Sequence, residues 1–281
     1  MAATDDVRQI LEGRPGTFGV FARNLTTGET VDVDSSRRMQ TASAAKQFIL
    51  VTYAEQVAAG TLDPATRVAL TDDDRTLGSG VLRYLAPGLA PTLDDLACLM
   101  VIVSDNVATN VVLRSVGGPD TVNRCMDAFD LPDARLHGPS GSASFGATPF
   151  GTATPRALAD AFALVAESAH RLSDGAAERC RRLLFRQQSV DGLPRRLPSI
   201  HQAIDFGFEM PLTVYNKPGG EPTVCTDAGL FVAKDTEWVA AVMAEDLPLS
   251  KMGPDDVGPL TCADVGEVLW RAWGPREALT W

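Results

Sequence analysis

Lysine is scarce in this chain: 281 residues contain four, alongside three histidines and five cysteines. Acidic side chains outnumber basic ones by 36 to 25, giving a formal charge of −11. No basic patch stands out against that field, so nucleic acid is excluded as an expected partner. The arginines between Arg179 and Arg186 fall at helical spacing and read as one solvated helix face. The five cysteines, Cys98, Cys125, Cys180, Cys225 and Cys262, are scattered and form no C-x-x-C pair. That pattern supports neither a zinc knuckle nor a disulfide framework, and no metal or cofactor is expected. All but Cys225 sit in apolar or helical patterns and read as core thiols. Long hydrophobic runs are missing too. The strongest, Ala97 to Val103, is too short to span a bilayer, so no membrane element is expected. The opening residues carry Asp5, Asp6 and Glu12 and no apolar h-region. The expectation is therefore no export signal and a reducing, cytoplasmic setting.

What is present is ordinary for a globular protein: 45% hydrophobic and 22% charged residues, and enough chain for a sizeable core. Asp5 to Gly13 reads as a short helix. Thr17–Asn24 and Glu29–Asp34 alternate around Thr26-Thr27-Gly28, a hairpin signal. Ser43 to Gly60 is helical, with Gly60 as its stop. Thr71 to Gly80 reads as a loop. Helices follow at Leu93–Val103, Val107–Val116 and Pro119–Phe129. Leu131 to Thr154 is a long irregular loop, the kind that usually serves a function. Thr154-Pro155 opens the next helix, running to about Ala169, and Ser173 caps another that ends near Gln188. Leu212–Asn216, Val224–Ala233 and Trp238–Met243 read as strands. Thr261 and Asp264 suggest a capping box for a last helix reaching Trp273. This order predicts a mixed α/β (α+β) fold: an antiparallel sheet built from both termini and flanked by helices, with an inserted all-helical lobe. The expected division is residues 1–42 plus 208–281 for the sheet lobe and 43–207 for the helical lobe of one domain.

Two of the four lysines fall in short motifs. Ser43-Ala44-Ala45-Lys46 opens a strongly helical stretch, Ser104-Asp105-Asn106 joins two helices, and Lys217-Pro218-Gly219 precedes a strand. A serine and a lysine three residues apart on a helix share one face. A neutral amine there can accept the proton of an otherwise weak hydroxyl nucleophile. The helix N-terminus adds free N–H groups and partial positive charge, which favour an oxyanion. Neutral Lys46 requires burial or a neighbouring cation, and Lys217 is the candidate neighbour. Ser104 is placed to relay a proton to a leaving group, while Asp105 reads as a structural brace of its turn. Taken singly, the first motif is a capping serine with a solvated lysine and the second a helix-to-helix turn. Their joint order favours catalysis.

With these three motifs the chain resembles the class A β-lactamase and penicillin-binding serine hydrolases, whose signature runs S-x-x-K, S-D-N, K-T-G. The 58-residue interval from Lys46 to Ser104 is similar to that of the family. So are Leu93-Asp94-Asp95-Leu96 before the middle motif, Ala108-Thr109-Asn110 after it, and Thr154-Pro155. The resemblance extends from about Gly16 to Trp273 and implies a β-lactamase/transpeptidase-like fold. It implies Ser43 as the acylated nucleophile, Lys46 as its general base, and Ser104 as the proton relay. Lys217 would set the local potential and attract an anionic group. It implies substrate contacts from Asn106, Gly219, Gly220 and Ser79, with Leu77 nearby, and an oxyanion hole from the backbone N–H groups of Ser43 and Gly220.

Two departures from the family pattern bear on function. Pro218 stands where the family has threonine or serine, removing a hydroxyl and an N–H beside the expected carboxylate site, and it suits only an edge strand. The class A loop glutamate that activates the deacylating water has no counterpart, since no Asp or Glu occurs between Asp133 and Asp160. His137 lies in that loop, where a surface role is the plainer reading than a base. The expectation is a serine hydrolase of amides or esters working through acyl-Ser43, without cofactor, on a small-molecule or peptide-like substrate. An efficient β-lactamase is not expected. The alternatives are an acyl-transferring biosynthetic enzyme, a true β-lactamase, and a catalytically silent ligand-binding protein. The sequence assigns no oligomeric state.

Overall fold

The structure is a computed structural model that describes residues 2–141, 148–199, 207–249 and 251–275. Helix α1 (Ala2–Leu11) leads into the hairpin β1 (Thr17–Asn24) and β2 (Thr30–Val33). A short strand β3 (Met39–Gln40) and a 3-10 turn (Ala42–Ala45) precede α2 (Lys46–Ala58). Helices α3 (Leu93–Ile102), α4 (Asn106–Ser115) and α5 (Pro119–Ala128) follow, then β4 (Arg135–Leu136) and β5 (Gly151–Ala153). After α6 (Pro155–Ala163) and α7 (Ala176–Leu184) come three ten-residue strands, β6 (Leu212–Glu221), β7 (Val224–Ala233) and β8 (Thr236–Glu245). The long helix α8 (Val257–Trp273) closes the described chain.

Strands from both ends of the sequence form one antiparallel sheet in the order β2-β1-β8-β7-β6. The two-residue alternation of β8 decides what each face covers. Trp238, Ala240 and Val242 join Val20, Ala22 and Phe231 under α1 and α8. Val239, Ala241 and Met243 join Phe21, Ala228 and Leu230 under the helices of the middle segment. On the first face Trp238 stacks on Phe231 at 5.4 Å and meets Trp270 and Trp273 of α8. Helix α2 is buried from Lys46 to Ala54, with no polar face over that length, so it forms the centre of the larger core.

The antiparallel sheet flanked by helices agrees with the expectation, and five local readings are corrected. The strand carrying the third motif continues through Pro218-Gly219-Gly220 to Glu221, because β6 is an edge strand where a missing N–H breaks no ladder bond. The last helix begins at Val257 behind Asp256, and Thr261 lies inside it with its hydroxyl donating to Val257 O at 2.6 Å. Ser173 does not cap α7: its amide and hydroxyl bond Glu55, and Gly175 (φ +80) precedes the first turn. Helix α6 ends at Ala163, ahead of a separate 3-10 turn at Glu167–Ala169. The irregular stretch 131–154 contains β4 and β5, and β5 pairs with both β3 and β4 in a small three-stranded second sheet.

Candidate active site

Three chain segments that make sharp turns bring the site together. Ser43 sits in the 3-10 turn ahead of α2, following Ala42 at φ +43. Lys46 is the first residue of α2 and is fully buried. Ser104 has a left-handed backbone, φ +55, between α3 and α4. The next residue, Asp105, caps α4 through Ala108 N at 3.0 Å. Its other oxygen accepts from Val81 N and Leu82 N at 2.6 and 2.8 Å, so one buried carboxylate ties the 79–82 loop to α4. Gly78 (φ +99) and Gly80 (φ +105) let that loop lie against the Asn106 and Asp105 side chains, where a Cβ would collide. They serve close approach. Ser79 Oγ donates to Ser104 O at 2.7 Å and completes the clamp.

Lys46 Nζ donates to Ser104 O at 2.7 Å, to Ser104 Oγ at 2.9 Å and to Asn106 Oδ1 at 2.8 Å. Lys217 Nζ reaches the same Ser104 Oγ at 3.1 Å and Pro218 O at 2.7 Å. Two buried amines therefore share one hydroxyl. Burial pushes the Lys46 pKa well below the usual lysine range, the Lys217 charge pushes it further, and Asp105 opposes both. Burial brings Lys217 down to about 7, with Asp227 opposing. Asp227 itself is raised to about 6 by burial, against hydrogen bonds from Asn216 Nδ2 at 3.1 Å and Leu193 N at 2.7 Å. Ser43 is half-buried, and its hydroxyl bonds to no other described residue. Lys46 is turned toward Ser104 and Asn106 with three acceptors, the arrangement that suits a protonated amine.

Edge strand β6 lies against the Ser43 turn. A Cβ on Gly219 would come 2.6 Å from Ser43 N and 2.7 Å from Ala44 N, so only glycine fits there. Pro218 has no N–H to give to β7, so its nitrogen faces away from that strand, and by alternation the N–H of Gly220 faces the same way. A cavity of about 480 Å³ is lined by Ser43, Ser79, Ser104, Lys217, Gly219 and Gly220, and it continues past Glu221 toward Met252. Asn106 donates its amide to Leu77 O at 2.8 Å beside this cluster. All eight residues singled out from the sequence thus converge on one region.

Some contributors had no sequence signal. Ser140, the first of three serines at 140, 142 and 144, donates to Asn106 Oδ1 at 2.7 Å, and its backbone C=O and N–H bond the Asn110 side-chain amide. Asp227 is a lone acid inside an apolar strand. His137 is exposed, pairs with Thr152 Oγ1 at 2.9 Å and does not line the cavity. His201 lies outside the described residues. Cys180 and Cys262 are buried and Cys98 and Cys125 half-buried, as core thiols would be. Among the described residues no group of His, Cys, Asp and Glu is arranged to hold a metal ion, and no helix is long and apolar enough to cross a membrane.

A model of the β-lactamase enzyme family matches residues 2–273. Among curated relatives, β-lactamase SME-1 of Serratia marcescens is 30% identical over 137 residues, 48% of this chain and 46% of that protein. β-Lactamase L2 of Stenotrophomonas maltophilia is 29% identical over 57% of this chain and 53% of its own. The matched stretch thus spans about half the length of these curated relatives. Among solved structures, a β-lactamase from Sphaerobacter thermophilus superposes with a TM-score of 0.83 at 26% identity, covering 96% of both chains. PBP-A superposes with a TM-score of 0.82 at 23% identity over 97% of this chain and 96% of its own, a likeness of fold. The chain belongs to the β-lactamase enzyme family.

Proposed function

We propose that this chain cleaves an amide or ester by forming an acyl ester on Ser43, and that β-lactam hydrolysis is not its efficient reaction. The observation that carries this reading is the shared hydroxyl, Ser104 Oγ, held by Lys46 and Lys217 in the cavity that Ser43 lines. Neutral Lys46 takes the Ser43 proton as Oγ attacks the carbonyl carbon. The N–H groups of Ser43 and Gly220 receive the developing oxyanion. The proton passes through Ser104 Oγ to the departing nitrogen or oxygen, and the bond to the leaving group breaks. Lys217 keeps Lys46 neutral through its charge and offers its own to the substrate. Asn106, Gly219 and Ser79 position the acyl portion. No cofactor enters these steps.

Pro218 carries neither hydroxyl nor N–H, which weakens recognition of a penicillin-type carboxylate. Resolution of the acyl-enzyme falls to a nucleophile activated without a loop carboxylate, since residues 134–159 hold no acid. This second feature favours acyl transfer to an acceptor other than water as the alternative outcome. PBP-A, whose mutant is known as an acyl-enzyme complex with penicillin G, is a structural neighbour that supports the covalent route. A cytoplasmic setting belongs to the same proposal and fits five free thiols.

Intact-protein mass spectrometry with activated acyl esters tests the proposal. An adduct on wild type and none on Ser43→Ala is expected. No adduct with any ester class points instead to a silent ligand-binding protein. Rapid, sustained nitrocefin turnover identifies a true β-lactamase and removes the substrate reading.

A further inference from the structure

The cavity that holds Ser43 does not end at the catalytic cluster. Along β6, residues 217, 219 and 221 share one face, so Lys217, Gly219 and Glu221 mark three successive stations. The first holds the cation beside Ser104, and the second is the glycine pressed on the Ser43 turn. Glu221 lies two residues beyond, about 7 Å further along the strand at its usual rise. From there the cavity runs between Val224 and the segment after β8, walled by Leu247, Leu249, Met252 and Val257. Leu249 and Met252 are among the most exposed large apolar side chains of the molecule.

The charges of this arm are of one sign. The described lining contains five carboxylates (Asp191, Glu221, Asp227, Asp255 and Asp256) and a single cation, Lys217, at the far end. Three of the acids are engaged by the protein itself. Asp227 is bonded to Asn216 and Leu193 N, Asp255 pairs with Arg195 at 2.8 Å, and Asp256 accepts from Gly253 N at 2.8 Å. Glu221 pairs with Val224 through the strand ladder, but its carboxylate is half-buried, burial raises its pKa, and it meets no hydrogen-bond donor or cation among the described residues. A half-buried carboxylate with apolar walls and no internal cation is electrostatically complementary to a positively charged guest.

We propose that this arm is a subsite for an apolar group bearing an amine cation, with Glu221 as its counter-ion and Leu247, Leu249 and Met252 as its walls. The inference deepens the proposed function by naming the substrate class: an amide or ester whose portion beyond the reacting carbonyl is lipophilic and cationic. It rests on that reading only for its use in turnover, since binding requires no acylation.

The test is calorimetric titration of the Ser43→Ala protein, which separates binding from chemistry. The probes share one body: 4-phenylbutylamine, the neutral 4-phenylbutanol and the anionic 4-phenylbutyrate. The amine is expected to bind about tenfold tighter than the carboxylate, with the alcohol between. Glu221→Gln is expected to weaken the amine about five- to tenfold and leave the alcohol unchanged. Asp235→Asn, an equal change of charge on the exposed β7–β8 turn, is expected to do neither. Equal or tighter binding of 4-phenylbutyrate overturns the proposal, as does an amine affinity indifferent to Glu221→Gln or equally weakened by Asp235→Asn. Failure of wild type to acylate, with amine binding intact, removes the covalent reading and leaves the subsite standing.

Discussion

Lys46 and Lys217 meet at a single oxygen: their amines lie 2.9 and 3.1 Å from Ser104 Oγ. Two ammonium groups cannot share a buried hydroxyl at low cost, so the arrangement itself holds at least one of them neutral near pH 7.

The proposed proton path runs through that shared contact at Ser104. Ser104→Ala is expected to slow acylation of Ser43 by about 10²–10³-fold for amides with basic leaving groups, and by far less for activated esters whose leaving group departs unprotonated. Single-turnover mass spectrometry across a leaving-group series checks this. A uniform loss across the series assigns Ser104 to positioning alone.

Burial of Lys217 is also a stability term with a definite sign. Its folded-state pKa of about 7 lies below the ordinary lysine value of 10.5, so the unfolded chain holds the extra proton between those values. The penalty is complete below pH 7 and fades as pH rises toward 10.5. Lys217→Met is therefore expected to be more stable than wild type at pH 7, by about 2–4 kcal/mol, with the gap closing toward pH 10. Urea midpoints at pH 6, 7, 8 and 9.5 check it. Activity of this variant should be lost throughout.

Gly219 has no room for a methyl group. Gly219→Ala should displace the Ser43 turn or β6, since the contacts at 2.6 Å are with backbone. Acylation is expected to fall by at least about 10²-fold with the circular dichroism spectrum unchanged. An active Gly219→Ala protein would falsify the close seating of β6 on the nucleophile's turn.

Asp105 accepts three backbone N–H groups while wholly buried. Asp105→Ala leaves all three donors unpaired and should cost about 2–4 kcal/mol, read as a lowered thermal midpoint. Asp105→Asn, which retains acceptor capacity on one oxygen, should lose less.

The sequence carried much of this architecture because its signals were local and mutually consistent. Strand alternation in β1, β7 and β8, and glycine or proline at helix ends, placed the sheet and most helices. Lys46 and Lys217 were conspicuous by their rarity. What escaped was decided by tertiary position. Pro218 already reads as an edge-strand residue, but the sequence pattern ends the strand at Asn216, and only the folded sheet carries β6 on through Gly219 and Gly220 to Glu221. Thr261 reads as a cap until Asp256, five residues earlier, is seen to hold that place. Ser140 and Asp227 carry no local pattern at all; only the folded chain brings one to Asn106 and the other onto the strand beside that of Lys217. The acid character of the arm was likewise hidden, because Asp191, Glu221 and Asp255 are far apart in the chain.

Pro218 has a further consequence for how an extended peptide can dock. An added strand gains affinity by forming successive main-chain rungs along an exposed sheet margin. On β6 the rung at residue 218 lacks its donor, and the next outward donor, at Gly220, is the one expected to face the reacting oxygen. A polypeptide laid along this margin would lose its continuity beside the nucleophile. Compact acyl donors, anchored by side-chain pockets rather than by zippering their backbone, are the guests this margin admits.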